Sequence, residues 1–229
     1  MSSLSVDFVP PGLKVIPPRL AGDAEVVGVG DDLSPDTLLW AYRHGIFPWP
    51  MDGYPLLWFC PPRRAVLDFD RIHVSERLAR ARRHAAFTYT LNTAFDQVIA
   101  RCRHSPRPGQ PGTWITPAVE AAYCALHRRG HAHSAEVWDA AGELVGGLYG
   151  VSAGGVFCGE SMFHSASNAS KFALLFLCEH LALRGSSWID IQVMTPHLAA
   201  LGAAEMPRSE FLDRLEREQS RGLTLFERG

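Results

Sequence analysis

The chain lacks any apolar run approaching the ~20 residues that a membrane-spanning helix needs. It also lacks a C-x-x-C pair: Cys60, Cys102, Cys124, Cys158 and Cys178 stand far apart. That spacing excludes the common dithiol and zinc motifs and fits reduced, buried thiols in a cytosolic protein. A charge of one sign is missing too. With 20% charged residues and a net charge of −2, the protein is not globally basic, so a nucleic-acid partner would have to meet a local patch. No dinucleotide fingerprint is complete: Gly28-Val29-Gly30 begins like one, but Leu33 stands where the third glycine belongs. The start, Met1-Ser2-Ser3-Leu4, has no basic and no apolar region of the signal-peptide kind, so none is expected. No internal repeat or low-complexity tract is visible.

What is present is enough apolar material for a sizeable core, 47% of 229 residues. That length allows a small domain followed by a larger one. About the first 25 residues are Pro-rich and read as irregular. Ser34-Pro35-Asp36 opens a helix, with Ser34 as cap and Pro35 at the first helical position, and Gly45 stops it. Ile46 to Pro50 reads as an aromatic turn, and Leu56 to Phe59 and Ala65 to Leu67 as strands. The Pro61-Pro62-Arg63-Arg64 segment between those strands reads as a polar boundary, dividing the chain into 1–64 and 65–229. Further on, residues 74–85, 93–103, 117–129, 169–183, 196–201 and 208–217 read as helices. Strands are expected at 87–91, 134–138, 144–149, 155–157 and 188–193, and a flexible Pro-rich loop at 104–112.

Chemistry concentrates in two segments that bracket the 169–183 helix. In Trp188-Ile189-Asp190-Ile191-Gln192-Val193 the side chains alternate, so Asp190 and Gln192 share one face. A solvated strand face would explain this pattern, but the flanks are apolar and a buried acid is costly unless used or paired. In Phe157-Cys158-Gly159-Glu160-Ser161-Met162-Phe163, Glu160 follows a strand and a glycine, so it could join Asp190 and Gln192 in one pocket. A surface glutamate at a strand end is the plainer alternative.

Tyr42, Trp49, Trp58 and Trp114 lie in or near irregular segments, where a ring can be core or can stack on a base. Arg77, Arg80, Arg82 and Arg83 crowd one helix, either a solvated face or a patch for phosphates. Cys124, His127, His131 and His133 are close in sequence but match no standard zinc spacing, and no metal is expected.

Several stretches together resemble the leucyl/phenylalanyl-tRNA–protein transferase family. They are Asp32 to Pro35, Tyr42-Arg43-His44-Gly45-Ile46-Phe47-Pro48-Trp49, Gly112-Thr113-Trp114-Ile115-Thr116-Pro117 and Gly130 to Ser134. They continue with Leu144 to Gly150, Phe157 to Phe163, Asn168 to Lys171 and Asp190-Ile191-Gln192. The resemblance implies an α/β (α+β) protein: a small N-terminal α+β domain, then a catalytic domain of the acetyltransferase-like (GNAT) fold. It implies a cytoplasmic, monomeric enzyme without cofactor that moves Leu, Phe or Met from aminoacyl-tRNA to the N-terminal amine of proteins beginning with Arg or Lys. Such transfer marks those proteins for the N-degron pathway.

By analogy Asp190 accepts or relays a proton, Gln192 orients groups at the carbonyl, and Glu160 faces the cationic acceptor. Leu148, Phe157, Ser161 and Met162 would surround the aminoacyl group. Tyr42, Trp49 and Trp114 would hold the terminal adenosine, and the four arginines would touch phosphates. Two departures stand out: Trp58-Phe59-Cys60-Pro61-Pro62-Arg63-Arg64 replaces a usual Trp-Trp-Ser-Pro-Asp-Pro-Arg, and Leu177 stands where a pocket-wall Phe is common. An acetyl-CoA enzyme of the same fold is the main rival. It would want a glycine-rich loop before the long helix, and His164-Ser165-Ala166-Ser167-Asn168 has no glycine.

Overall fold

The computed structural model describes residues 9–105 and 113–227. Two sheets form. The first contains β1 (Lys14–Val15), β2 (Val26–Val29), β3 (Phe47–Trp49) and β4 (Leu57–Phe59), all antiparallel in the order β1-β2-β4-β3. Helix α1 (Pro35–Arg43) is inserted between β2 and β3. The Ser34 hydroxyl accepts the Thr37 backbone N–H at 3.3 Å, so the expected cap forms. Gly45, at φ 74°, takes the left-handed turn that ends the helix region.

The second sheet has seven strands. They are β5 (Arg63–Asp68), β6 (Thr88–Leu91), β7 (Ala132–Trp138), β8 (Leu144–Ala153), β9 (Val156–His164), β10 (Trp188–Gln192) and β11 (Ala204–Pro207). Their order is β11-β5-β10-β9-β8-β7-β6. Helices α2 (Glu76–His84), α3 (Phe95–His104), α4 (Pro117–Arg128), α5 (Ala169–Leu183), α6 (Pro196–Ala199) and α7 (Arg208–Ser220) surround it. All neighbours run antiparallel except β9 and β10, which α5 joins as a parallel crossover.

Alternation along the strands makes two cores. Val66, Tyr149, Cys158 and Trp188 face α1, α3, α4, α7 and the first sheet. Leu67, Leu148, Phe157 and Ile189 face α5 and Leu78 of α2. Helix α5 comes in so closely that a Cβ on Gly146 would lie 2.5 Å from that of Ala169.

The structure differs from the sequence reading in several places, among them β11, a strand where none was expected. The proline-rich start holds β1 and a short 3-10 turn at Pro18–Leu20. The aromatic turn is β3, an edge strand, which is where a strand tolerates a proline such as Pro48. Strand β9 runs seven residues beyond Phe157, so Glu160 sits inside it rather than after it. Arg64, read as polar boundary, lies on β5 and is wholly buried. The break between the sheets falls between Phe59 and Arg63, and the first core crosses it. Most of the expected 104–112 loop lies outside the described residues.

Candidate active site

The site is built where β9 and β10 part. These parallel strands register only at Cys158 and Asp190. Ile189 and Ile191 point into the α5 core, and Asp190 points to the other side, toward Arg64. Arg64 meets it there: its Nε and Nη2 donate to the two Asp190 oxygens at 2.8 and 2.7 Å. Both residues are essentially excluded from solvent. Burial works against the guanidinium charge, but the Asp190 charge and hydrogen bonds outweigh it and raise the Arg64 pKa. The guanidinium carbon also lies 4.7 and 4.6 Å from the Phe47 and Phe211 ring centroids.

Immediately beyond, the register of β10 against β5 breaks. Gln192 stands at φ 62°, left-handed backbone that costs a non-glycine residue about 1–3 kcal/mol. Its backbone N–H donates to Asp190 Oδ1 at 2.9 Å. Its side chain turns to Glu160, donating from Nε2 to Oε1 at 2.6 Å.

Glu160 is the extra residue of a bulge. Tyr149 pairs with Ser161 and Gly150 with Gly159, so Glu160 has no partner across the ladder and is turned out of it. Any Cβ at Gly150 would collide with the Cys158 carbonyl, so glycine makes this break possible. Helix α1 delivers Tyr42, whose hydroxyl donates to Glu160 Oε1 at 2.6 Å. Helix α4 delivers Tyr123, whose hydroxyl lies within hydrogen-bond reach of both the Tyr42 oxygen and Glu160 Oε2, 3.3 Å from the latter, and gives its one proton to one of them at a time. Burial pushes the Glu160 carboxyl up to about 7. The Tyr42, Gln192 and Tyr123 hydrogen bonds pull the other way, and the Asp190 charge adds to the rise. Desolvation and the Glu160 charge hold both phenols well above their ordinary range, so they act as neutral donors.

The expected trio of Glu160, Asp190 and Gln192 is therefore brought together. Asp190, expected to accept or relay a proton, has both oxygens bonded to Arg64, and one also accepts the Gln192 backbone N–H. The Glu160 carboxyl is the one pushed up to about 7 by burial. Tyr42 was expected to stack on a base, yet its ring is enclosed against Tyr123 and it offers only its hydroxyl.

Trp49 and Trp114 stack on each other, with centroids 5.5 Å apart and planes at 26°. Trp49 also lines a cavity of about 450 Å³ with Phe59, Val193, Met194 and Glu205. Trp58 is core, with its Nε1 donating to the Gly30 carbonyl. Leu148, Phe157 and Met162 do come together, on the α5 side of the sheet, while Ser161 stands beside Glu160 opposite Tyr149.

Of the α2 arginines, Arg77, Arg80 and Arg83 are exposed. Arg82 is not available: its Nη1 and Nη2 donate to Glu179 at 2.5 and 2.8 Å, and it lies over Tyr89. His127 stacks on Phe95 and His133 on Phe226. Among the described residues no group of His, Cys, Asp or Glu is arranged to hold a metal. The sequence reading missed Arg64 and Tyr123. Tyr123 sits on the apolar stripe of α4 with Val119 and Leu126 and looks like any core residue. Arg64 carried one usable signal, a charge directly preceding the apolar Ala65-Val66-Leu67.

A carboxyl that ionises near neutral pH, two neutral phenols and a carboxamide thus converge at a strand split. Such a set can take a proton from an ammonium group and steer a polarised carbonyl. Comparison with known proteins agrees with acyl-transfer chemistry. A sequence model described as leucyl/phenylalanyl-tRNA protein transferase matches residues 66–216, and that of the family's N-terminal domain matches 31–62.

The chain belongs to this family.

It is therefore an aminoacyltransferase. The leucyl/phenylalanyl-tRNA–protein transferase of Xanthomonas oryzae pv. oryzae (strain MAFF 311018) is 52% identical over 193 residues, 84% of this chain and 77% of that one. The protein of the same name from Nitratidesulfovibrio vulgaris (strain DP4) is 50% identical over 192 residues, 84% and 82% of the two chains. That from Chromohalobacter salexigens is 53% identical over 191 residues, 83% and 74%. Among solved structures, L-PGS from Bacillus licheniformis aligns with a TM-score of 0.39 at 14% identity, over 72% of this transferase and 55% of that chain. Among the described residues no helix is long and apolar enough to cross a membrane.

Proposed function

We propose that this transferase moves Leu, Phe or Met from aminoacyl-tRNA to the α-amino group of proteins that begin with Arg or Lys. On this reading it acts as a cytoplasmic monomer and marks its products for the N-degron pathway. It consists of a small N-terminal unit, 1–64, and a GNAT-like catalytic unit, 65–229. The observation that carries the reaction is the Glu160 carboxyl, pushed up to about 7 and held by Tyr42, Tyr123 and Gln192.

An N-terminal amine has an ordinary pKa of about 8, so it is mostly protonated at neutral pH and cannot attack. Glu160 takes that proton, and a base with a pKa near the working pH does so efficiently. The amine nitrogen then bonds to the ester carbonyl carbon. The bond from that carbon to the ribose oxygen breaks; the nitrogen's second proton leaves with the ribose oxygen, and the proton first taken by Glu160 passes to solvent. Gln192, held against Glu160, orients the carbonyl. The ester already supplies the driving force, and no cofactor is needed.

Leu148, Phe157 and Met162 would hold the aminoacyl side chain near Ser161. Unbranched Cβ atoms would fit there, and branched ones would clash. Trp49 and Trp114 would hold the terminal adenosine. The test is transfer of radiolabelled Leu or Phe from charged tRNA to a peptide beginning with Arg, against one beginning with Ala. Labelling of the Arg peptide alone supports the proposal; equal labelling of both removes the acceptor class.

The exposed arginines of α2 would meet tRNA phosphates. Replacing Arg77, Arg80 and Arg83 together is expected to weaken binding of charged tRNA and to lower the salt slope, log K against log[salt], by about 2–3. The loss should be the same for Leu-tRNA and Phe-tRNA. Replacing Arg82 should instead loosen α2 from α5, because its partner is Glu179. Binding titrations across a salt series check this, and an unchanged slope in the triple variant would remove α2 from the interface.

A further inference from the structure

We propose that Arg64 is a positioning residue for aminoacyl transfer: it clamps Asp190, and through Asp190 the backbone of Gln192, so that the Gln192 amide stands against Glu160. This inference rests on the reading of Glu160 and Gln192 as the reacting site.

The chain of contacts is continuous. Arg64 donates twice to Asp190, at 2.8 and 2.7 Å. Asp190 Oδ1, one of the two oxygens so held, accepts the Gln192 backbone N–H at 2.9 Å. Gln192 in turn donates to Glu160 at 2.6 Å. The middle link is where positioning is needed. Gln192 has left the strand register and stands in left-handed backbone, a conformation that persists only when its surroundings impose it. A carboxylate free to rotate would not impose it. Asp190 is not free, because a planar guanidinium fork fixes the plane of the carboxylate.

The fork is fixed in turn, lying by the rings of Phe47, from the first sheet, and Phe211, from α7. Arg64 thereby ties the first sheet, β5 and α7 to the orientation of one amide. One Arg64 nitrogen, Nη1, is buried without a hydrogen-bond partner. Leaving that donor unmet is costly. An arginine that served cohesion alone would be replaceable by apolar side chains of similar size.

That last point supplies the experiment. In the full chain, the paired variant Arg64→Met/Asp190→Leu replaces both charges with apolar groups, which leaves no buried charge behind. Gln192→Ala is then made in the parent chain and in this variant, and kcat and KM are measured with charged tRNA and an Arg-initiated peptide, with melting temperature followed alongside. Expected is a paired variant that melts close to the parent, with kcat about tenfold lower and KM for charged tRNA little changed. In that background Gln192→Ala should cost almost nothing further, because the amide is already misplaced. Should the paired variant not fold, Arg64→Lys takes its place in the cycle, since lysine keeps the charge but loses the fork.

A Gln192→Ala loss as large in the Arg64 variants as in the parent overturns the positioning role alone. So does a folded paired variant with parental kcat. If Gln192→Ala leaves the parent chain at full rate, the site reading fails, and the inference falls with it.

Discussion

Replacing Glu160 with glutamine is expected to lower kcat by about 10²–10⁴, the range supplied by a positioned general base. The same change should remove the pH dependence that Glu160 imposes. In the parent chain, burial pushes this carboxyl up to about 7. The proton-accepting form therefore fills as pH rises through about 7, and at saturating acceptor the rate should rise along a single-proton limb with that midpoint. Glu160→Gln should lack the limb.

Stability should move in the opposite direction. Below the ordinary value of 4.5 the carboxyl is protonated in both folded and unfolded chains and costs nothing. Between 4.5 and about 7 the folded chain keeps a proton that the unfolded chain has lost. Above about 7 both are ionised, and the folded chain bears the cost of a poorly solvated anion, of order 3 kcal/mol. The parent should thus lose stability as pH rises from 4.5 to about 7. Glu160→Gln should melt about 5 °C or more above the parent at alkaline pH, a gain in stability with a loss of function. Rate profiles and thermal scans between pH 5 and 9 check both halves. A glutamine variant that keeps the parental rate would exclude Glu160 as the base.

The second large effect is expected from Asp190→Ala, and it is structural. The substitution leaves the Arg64 guanidinium buried without its counter-ion, between two phenylalanine rings. Breaking a buried pair from one side costs about 3–5 kcal/mol. In a chain of this size that lowers the melting temperature by about 10 °C or more. Activity lost in this variant would therefore say little about proton transfer, since the protein itself is weakened and Gln192 loses its backbone anchor. Differential scanning calorimetry decides the matter. An Asp190→Ala protein melting within a degree or two of the parent would mean that the pair contributes nothing to the fold.

Much of this molecule could be read from the chain because the signals are local. Ser34 and Pro35 start α1, and the expected limits of α5, 169–183, are those observed. Asp190 and Gln192 were placed on one strand face by alternation alone, and both side chains do turn away from the α5 core. Local signals fail at sheet edges. Strands β1, β3 and β11 are short, and β3 contains a proline; their identity depends on a neighbour far away in sequence.

The sequence by itself determined the residue types of the site, the helix that separates Glu160 from Asp190, and the strand on which Asp190 and Gln192 lie. It did so because caps, turns and strand periodicity act within a few residues. Only the tertiary structure decided which acid has the neutral-range carboxyl. Arg64 reaches Asp190 across 126 residues, and Tyr42 reaches Glu160 across 118. A bulge that depends on Gly150 then turns Glu160 out of its ladder. Charge compensation and desolvation belong to groups that packing brings together, and spacing along the chain carries no record of them.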